Sequence, residues 1–316
     1  MKESKNNSVL SIRNLSISFS SKTNFKKHTV IAVDDISFDI YPGETFGLVG
    51  ESGCGKTTTG RCIIRLYTPT KGSIILNGRE VTEPMTKDLR KYIARNASMI
   101  FQDSIESLNP RMTIAEIIGE GLRVRGMKNN DEIIEKVYAI LEKVGLTKEQ
   151  AGRYPHEFSG GQRQRIGIAR AIIVEPSLVI ADEPVSALDV SIQAQVINLL
   201  NDLKEELNLT ILFIAHNLSV VKYFSDRVGV MYRGKLVEVA TKEEIYRHPY
   251  HPYTRALLSA IPNPNPFTEK RRIRLAYEPA KEHDYSLEKP EMIEISENHF
   301  VYASKTEAEK YLRLFE

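Results

Sequence analysis

The stretch that decides the fold is Thr45–Thr57, which reads TFGLV followed by GESGCGKT. The first five residues form a short apolar run, and the next eight match Gly-x-x-x-x-Gly-Lys-Thr ahead of a segment with helical character. Glycines let backbone N–H groups turn inward around phosphate oxygens, and the N-terminus of the following helix adds a positive dipole end. This order of strand, loop and helix predicts a phosphate-binding loop in an α/β domain rather than an ordinary glycine-rich turn.

Two side chains of this loop have predicted roles of their own. Lys56 is expected to reach the β- and γ-phosphates, and the Thr57 hydroxyl is a suitable ligand for Mg²⁺. We interpret Cys54 as a small filler of the loop rather than a reactive thiol. The residues predicted to bind the phosphates are Gly50, Glu51, Ser52, Gly53, Cys54, Gly55, Lys56, Thr57 and Thr58.

A second apolar run, Leu178–Ala181, ends in Asp182 and Glu183. Ligands of open α/β sheets bind at the carboxyl ends of the strands, so Asp182 is placed to hold Mg²⁺ through water. Glu183 is placed to polarise an attacking water, which is the base that phosphoryl transfer needs. Because strand ends commonly carry solvated acids, this prediction depends on the phosphate loop upstream.

Hydrophobic periodicity predicts the layout of the remaining chain. Apolar runs at 98–101 and 210–215 do not alternate, which suits strands buried on both faces of a parallel sheet. The first forty residues alternate instead, with one slip at Arg13-Asn14 that indicates a bulge, and predict β-strands. A capping-box pattern at Thr113–Glu116 opens a helical segment, which we interpret as a small subdomain inserted at about residues 103–160.

Length and composition exclude several classes of protein. The 316 residues correspond to about two structural units, and 41% hydrophobic with 27% charged residues is typical of a soluble globular protein. The net charge of +2 lacks the basic excess expected of a nucleic-acid binder. Two cysteines cannot build a disulfide-rich scaffold, and neither a secretory signal nor a membrane-spanning apolar run is visible. We therefore expect a cytoplasmic protein.

The tetrapeptide Ser159-Gly160-Gly161-Gln162 precedes a helix-like run at 163–174. Ser-x-x-Gln is itself a capping box, so it fits an ordinary helix start. Two glycines weaken a first helical turn, however, and suit a backbone that an anion approaches closely. One γ-phosphate does not need two such helix starts in one chain. A head-to-tail dimer does, because each chain's serine–glycine helix then closes over the other's nucleotide.

Taken together, these motifs resemble those of the ATP-binding cassette (ABC) ATPases over roughly residues 9–245. The signature sequence of that family is present at residues 158–162, with Phe158 where many members have Leu. The resemblance implies a P-loop ABC ATPase core with an N-terminal antiparallel β subdomain, an inserted helical subdomain and a small C-terminal accessory region at 246–316. It also implies that ATP, with Mg²⁺, is sandwiched between the phosphate loop of one subunit and the signature of another.

The same resemblance assigns further residues. Gln102 matches the Q-loop residue that contacts Mg²⁺ and water, and His216 matches the switch histidine that holds the γ-phosphate. With Glu183 they form the expected catalytic set, and the expected metal-binding set is Thr57, Gln102 and Asp182. The D-loop, which crosses the dimer interface, corresponds to Ser186, Ala187, Leu188 and Asp189.

Family members stack the adenine on an aromatic residue of the N-terminal strands. Phe19 is the candidate here, and Phe25 is the alternative. Phe19 fits the alternating core pattern equally well, so the pattern leaves its role open.

The stretch His248–Leu258, HPYHPYTRALL, resembles the C-terminal motif of oligopeptide and dipeptide permease ATPases. Apart from this resemblance, its composition also fits a proline-stiffened linker, since prolines favour extended chain. Many members of this branch carry a cysteine cluster for an iron–sulfur centre after the motif, whereas this chain has no cysteine beyond Cys62 and therefore no such centre. The residue pattern of the tail predicts short strands at 271–277, 292–295 and 299–303 and a helix at 306–315. The tail from Arg271 is also similar to the F-type subunits of Gram-positive oligopeptide permeases.

The resemblance implies an ATPase that energises peptide import from the cytoplasmic face of the membrane. Its expected partners are a second, paralogous ABC ATPase subunit, two transmembrane permease subunits and, indirectly, an extracytoplasmic peptide-binding protein, with no nucleic acid. An importer of non-peptide cargo such as nickel is an alternative. A soluble ABC ATPase acting on nucleic acid or ribosomes is another, although residues 102–159 leave no room for a long coiled coil. A non-hydrolysing regulatory module conflicts with intact Lys56, Glu183 and His216.

Overall fold

Two β-sheets organise the chain in the computed structural model, which describes residues 8–23, 26–102, 107–186, 188–262, 272–286 and 288–315. The strands are β1 (Leu10–Thr23), β2 (Lys26–Ile40), β3 (Thr45–Val49), β4 (Lys71–Leu76), β5 (Arg79–Glu80), β6 (Ala97–Ile100), β7 (Leu178–Asp182), β8 (Ile211–Ala215), β9 (Arg227–Tyr232), β10 (Lys235–Thr241), β11 (Glu291–Ser296) and β12 (His299–Ala303). The smaller sheet has the antiparallel order β2-β1-β4-β5. Its register shifts between Ile12 and Leu15, which confirms the predicted bulge.

The larger sheet has the order β11-β12-β10-β9-β3-β8-β7-β6, in which β9, β3, β8, β7 and β6 run parallel. Every residue of β3, β7 and β8 is buried, which explains why their apolar runs do not alternate. Val49 pairs with Ala215, and Asp182 pairs with Ile214. The carboxyl ends of these strands therefore meet at one edge of the sheet, and the predicted α/β class is confirmed.

Helices cover both faces of this sheet, and some of them lie in the segment predicted to be an inserted subdomain. They are α1 (Lys56–Ile63), α2 (Lys87–Asn96), α3 (Ile114–Val124), α4 (Asn130–Lys143), α5 (Gly160–Ile172), α6 (Val190–Leu207), α7 (Leu218–Phe224), α8 (Lys242–Arg247), α9 (Pro252–Ser259), α10 (Pro279–Glu282) and α11 (Lys305–Leu312). The capping box predicted at Thr113 and Glu116 opens α3. Apolar side chains of α3, α4 and α5 share one core, so the inserted helices pack against the helix that follows the signature. No helix in the described ranges has both the length and the apolar character that a membrane crossing requires.

The C-terminal residues differ from expectation at two places. Residues 272–278 have no regular secondary structure, so the strand expected at 271–277 is wrong there, and Arg271 lies outside the described residues. The histidine–proline–tyrosine stretch is not an extended linker: Pro252 begins α9, because its fixed φ suits a first helical turn, and His251 and Tyr253 are buried. The expected strands β11 and β12 form, and β12 pairs with β10. The hairpin thus extends the main sheet, while the domain boundary after residue 245 stays a prediction.

Candidate functional site

The predicted phosphate loop connects β3 to α1 and depends on glycine at two positions. Gly50 and Gly55 have φ values of 151° and 110°. A Cβ on Gly50 would lie 2.2 Å from the carbonyl oxygen of Met231, and one on Gly55 would lie 2.4 Å from that of Ala32. Both the backbone conformation and the available space therefore require glycine.

Lys56 folds back over this loop. Its Nζ donates hydrogen bonds to the carbonyl oxygens of Gly50 and Glu51, at 2.7 and 2.9 Å. The side chain is buried, and no carboxylate of the described chain lies within ion-pair distance of its Nζ. Burial raises the pKa of the neighbouring Cys54 thiol, which is consistent with Cys54 as a filler. A buried ammonium without a carboxylate in ion-pair distance suits the loop to binding an anion.

Asp182 is fully buried at the end of β7 beside the loop. Its Oδ1 accepts a hydrogen bond of 2.8 Å from the Thr57 hydroxyl. Burial raises the pKa of Asp182, although the bond from Thr57 and the charge of Arg61 act in the opposite direction. Its Oδ2 has no hydrogen-bond partner among the described residues. An unpaired, buried carboxylate oxygen next to a hydroxyl is a donor set that fits Mg²⁺.

Glu183 lies at the centre of the expected catalytic set. Its φ of 45° is uncommon for a residue other than glycine, and its N–H donates to the carbonyl oxygen of Ile214. The carboxylate Oε2 is 3.0 Å from His216 Nδ1 and 3.4 Å from Gln102 Nε2. These residues meet because Gln102, Glu183 and His216 each follow one of the neighbouring parallel strands β6, β7 and β8. Their catalytic roles stay predictions.

One cavity of about 400 Å³ joins the phosphate loop to this cluster. Ala32, on the strand β2 facing the loop, also lines it, and no sequence pattern marked that residue. The remaining lining residues are Ser52, Gly53, Gly55, Lys56, Thr57, Thr58, Gln102, Glu183 and His216. A polyphosphate in this cavity would meet the buried cation on one side and the Glu183 carboxylate on the other.

The predicted signature lies outside this cavity, at the start of α5. Ser159 caps α5 with the reciprocal bonds of a capping box, Gln162 N–H to Ser159 Oγ at 3.3 Å and Ser159 N–H to Gln162 Oε1 at 3.0 Å. The serine is exposed, and residues 159–162 do not line the cavity described above. The tetrapeptide therefore starts a helix, as its capping-box pattern predicted, and its role in binding the nucleotide of a second chain stays a prediction.

The predicted D-loop begins next to Glu183. The Ser186 hydroxyl donates to the carbonyl oxygen of Glu183, at 3.1 Å. A Cβ on Gly160 would lie 3.7 Å from Leu188 Cδ2, so the predicted D-loop lies close to the start of α5. Asp189 is exposed, and Ala187 lies outside the described residues.

Of the two candidates for adenine stacking, the structure describes only Phe19. Phe19 is 42% exposed, which excludes the core position that its alternation pattern also allowed. Its ring contacts Tyr67 edge-on with centroids 5.2 Å apart, and it does not line the cavity. Its role in adenine binding stays a prediction. Phe25 lies outside the described residues.

Sequence reasoning missed two contacts that hold the phosphate loop from outside. The Tyr253 hydroxyl accepts a hydrogen bond of 3.1 Å from the backbone N–H of Glu51. The Gly234 N–H, in the turn between β9 and β10, donates to the carbonyl oxygen of Cys54 at 2.9 Å. The first contact joins positions 202 residues apart, so no local pattern indicates it.

Two family descriptions and several known proteins match this chain. Residues 33–186 match the family described as ABC transporter, and residues 237–286 match the oligopeptide/dipeptide transporter C-terminal region. The oligopeptide transport ATP-binding protein OppF of Bacillus subtilis (strain 168) is 58% identical over 280 residues, which cover 88% of this chain and 92% of that protein. The dipeptide transport ATP-binding protein DppF of Lactococcus lactis subsp. cremoris is 52% identical over 306 residues, covering 96% of each.

A solved structure shows the same fold with nucleotide products bound. It is the dimeric, post-hydrolysis state of the ATP-binding cassette MJ0796 bound to ADP and Pi. It superimposes with a TM-score of 0.66 at 25% identity, covering 74% of this chain and 98% of that one.

Proposed function

The chain belongs to the family of ATP-binding subunits of oligopeptide and dipeptide ABC transporters, and on that premise we propose that it hydrolyses ATP to power peptide import. The observation that carries the proposal is the single cavity in which the Lys56 loop faces Gln102, Glu183 and His216. These groups suit transfer of a phosphoryl group to water, in which catalysis rests on positioning and charge neutralisation.

Each residue then has a defined task. Lys56 exchanges its two carbonyl partners for phosphate oxygens, and Glu183 orients a water and accepts its proton. His216, whose Nδ1 lies 3.0 Å from the Glu183 carboxylate in the same cavity, holds the γ-phosphate. Thr57, Gln102 and Asp182 would hold Mg²⁺, which when bound neutralises phosphate charge. Phe19 stacks on the adenine.

The proposed assembly follows from the exposed signature. Ser159–Gln162 of this chain closes over the nucleotide of a second, paralogous ABC ATPase, whose own signature closes over the cavity described here. The pair moves two transmembrane permease subunits, to which an extracytoplasmic peptide-binding protein delivers cargo. The chain itself is peripheral at the cytoplasmic face and binds no nucleic acid.

A trapped complex tests this proposal. Glu183→Gln removes the base and leaves the phosphate loop intact, so tagged E183Q chain with Mg-ATP is expected to remain closed on its partners. We expect a pull-down from detergent-solubilised membranes to recover two multispanning proteins and a second ATPase, identified by mass spectrometry. A peptide-binding lipoprotein in the same fraction would support the peptide cargo.

The matched control is E183Q chain without nucleotide, which should recover less of the second ATPase. Recovery of ribosomal proteins or DNA without any multispanning protein would contradict the proposed function. Normal ATP turnover by E183Q would contradict the role of Glu183 as the base.

A further inference from the structure

The C-terminal region reaches the phosphate loop through one side chain, Tyr253 at the start of α9. Its hydroxyl oxygen accepts the 3.1 Å hydrogen bond from the Glu51 N–H. The residue is only 2% exposed, and its ring packs against Tyr232 and Tyr277 with centroids 4.5 and 5.4 Å away. Solvent therefore cannot readily replace the phenol as partner of that amide.

Hydrogen bonds to residues of the larger sheet fix the position of Tyr253. Glu238 on β10 is fully buried, and its carboxylate accepts hydrogen bonds from the N–H groups of Tyr250 and His251, at 2.8 and 3.1 Å. His299 Nε2 on β12 lies 2.7 Å from the same carboxylate. His251 Nδ1 then accepts from the Tyr253 N–H, at 3.1 Å. A rigid set of buried hydrogen bonds thus holds the first turn of α9 above the loop.

Tyr253 and Lys56 both form hydrogen bonds to the backbone of the same residue, Glu51. The Glu51 N–H is bound by Tyr253, and the Glu51 carbonyl oxygen is bound by Lys56 Nζ. When Lys56 turns to phosphate, the Glu51 carbonyl loses that bond, while the bond from its N–H to Tyr253 does not depend on the lysine. The first turn of the loop can then keep its conformation while the lysine moves.

We propose that Tyr253 is a positioning residue for nucleotide binding, through which the C-terminal region holds the phosphate loop in its binding conformation. This inference rests on the proposed binding of ATP at that loop. It gives the buried histidine–proline–tyrosine stretch a task in the ATP site. Tyr253 contacts the loop and not the reacting atoms, so it acts on affinity rather than on the chemical step.

The test compares two tyrosine-to-phenylalanine changes in one aromatic cluster. Tyr253→Phe removes the partner of the Glu51 amide, and Tyr277→Phe removes a hydroxyl that lies 2.8 Å from His283 Nε2 and does not contact the loop. In full-length chain carrying E183Q, we expect Y253F to raise the dissociation constant for Mg-ATP about five- to tenfold, from the loss of one buried hydrogen bond. Y277F should stay within about twofold of the parent.

A second measurement distinguishes an effect of Tyr253 on the position of the phosphate loop from a general destabilisation of the C-terminal region. In the reconstituted transporter, with the chain otherwise wild type, Y253F should raise the KM for ATP while kcat stays within about twofold, and Y277F should change neither. Equal dissociation constants for parent and Y253F, or equal losses in Y253F and Y277F, would overturn this inference alone. Failure of the parent chain to bind Mg-ATP would overturn both the proposed function and this inference.

Discussion

At the scale of single residues, Asp182 shows the cost of burying a carboxylate that we propose to bind Mg²⁺. Burial raises its pKa above the ordinary 3.8, and its Oδ2 has no partner among the described residues. The native chain therefore holds this proton more tightly than the unfolded chain does. Ionisation of Asp182 lowers the free energy of unfolding progressively as pH rises above the ordinary range of an aspartate.

Asp182→Asn is expected to stabilise the nucleotide-free chain, because it removes the buried charge and retains an oxygen that accepts from Thr57. We expect the free energy of unfolding to rise by about 1 kcal/mol at pH 8, with a smaller gain near pH 4. Urea denaturation at both pH values measures this. The control Asp202→Asn changes an exposed helical aspartate and should leave stability unaltered at both. A D182N chain that is less stable than wild type at pH 8 would contradict the argument.

At the scale of elements, the start of α9 depends on a histidine that must stay neutral. His251 is 1% exposed, and its Nδ1 accepts the capping hydrogen bond from the Tyr253 N–H. Burial, reinforced by the charges of His283 and Arg255, lowers the pKa of His251 to about 3 from its ordinary 6.5. The unfolded chain therefore takes up this proton first. The stability that neutral His251 contributes is complete above pH 6.5 and is lost as pH falls toward 3.

His251→Asn should flatten that pH dependence, because asparagine also caps helices but does not titrate. Wild-type stability is expected to fall between pH 6 and pH 4 more steeply than that of H251N, by up to about 1.4 kcal/mol per pH unit. Chemical denaturation across this range compares the slopes. The exposed His156 supplies the control, since H156N should keep the wild-type slope. Parallel slopes for wild type and H251N would contradict the assignment.

At the scale of the whole molecule, the cavity and the signature are separate surfaces of one chain. The cavity gathers Lys56, Gln102, Glu183 and His216, whereas Ser159 faces solvent at the start of α5. In the proposed sandwich, a nucleotide bound in one chain is completed by the signature of the other. Binding of ATP and association of the chains should therefore be separable by mutation.

Ser159→Asp tests that separation. Aspartate caps helices as well as serine does, so α5 should form, but its charge would repel the phosphate of an opposing ATP. We expect unchanged ATP affinity in the single chain and at least a tenfold loss of ATP hydrolysis in the reconstituted transporter. Thr86→Asp, at the cap of α2, introduces the same charge away from both surfaces and should leave hydrolysis intact. Full activity of S159D would contradict the sandwich.

The sequence by itself determined the parts of this protein that depend on neighbours along the chain. The phosphate loop, the capping boxes at Thr113 and Ser159, and the fully buried parallel strands follow from residue types within a few positions of one another. Gln102 and His216 were assigned only by resemblance, because no spacing along the chain indicates that both approach Glu183. The order of the parallel strands decides that meeting.

Tertiary structure alone decided the conformation of the histidine–proline–tyrosine stretch. A proline such as Pro252 is compatible with an extended linker and with the first turn of a helix, and burial of the surrounding aromatic side chains selects the helix. The contact between Tyr253 and Glu51 likewise spans 202 positions. It exists because the buried Glu238 carboxylate needs hydrogen-bond donors, which the backbone ahead of α9 supplies, and this requirement places Tyr253 over the phosphate loop.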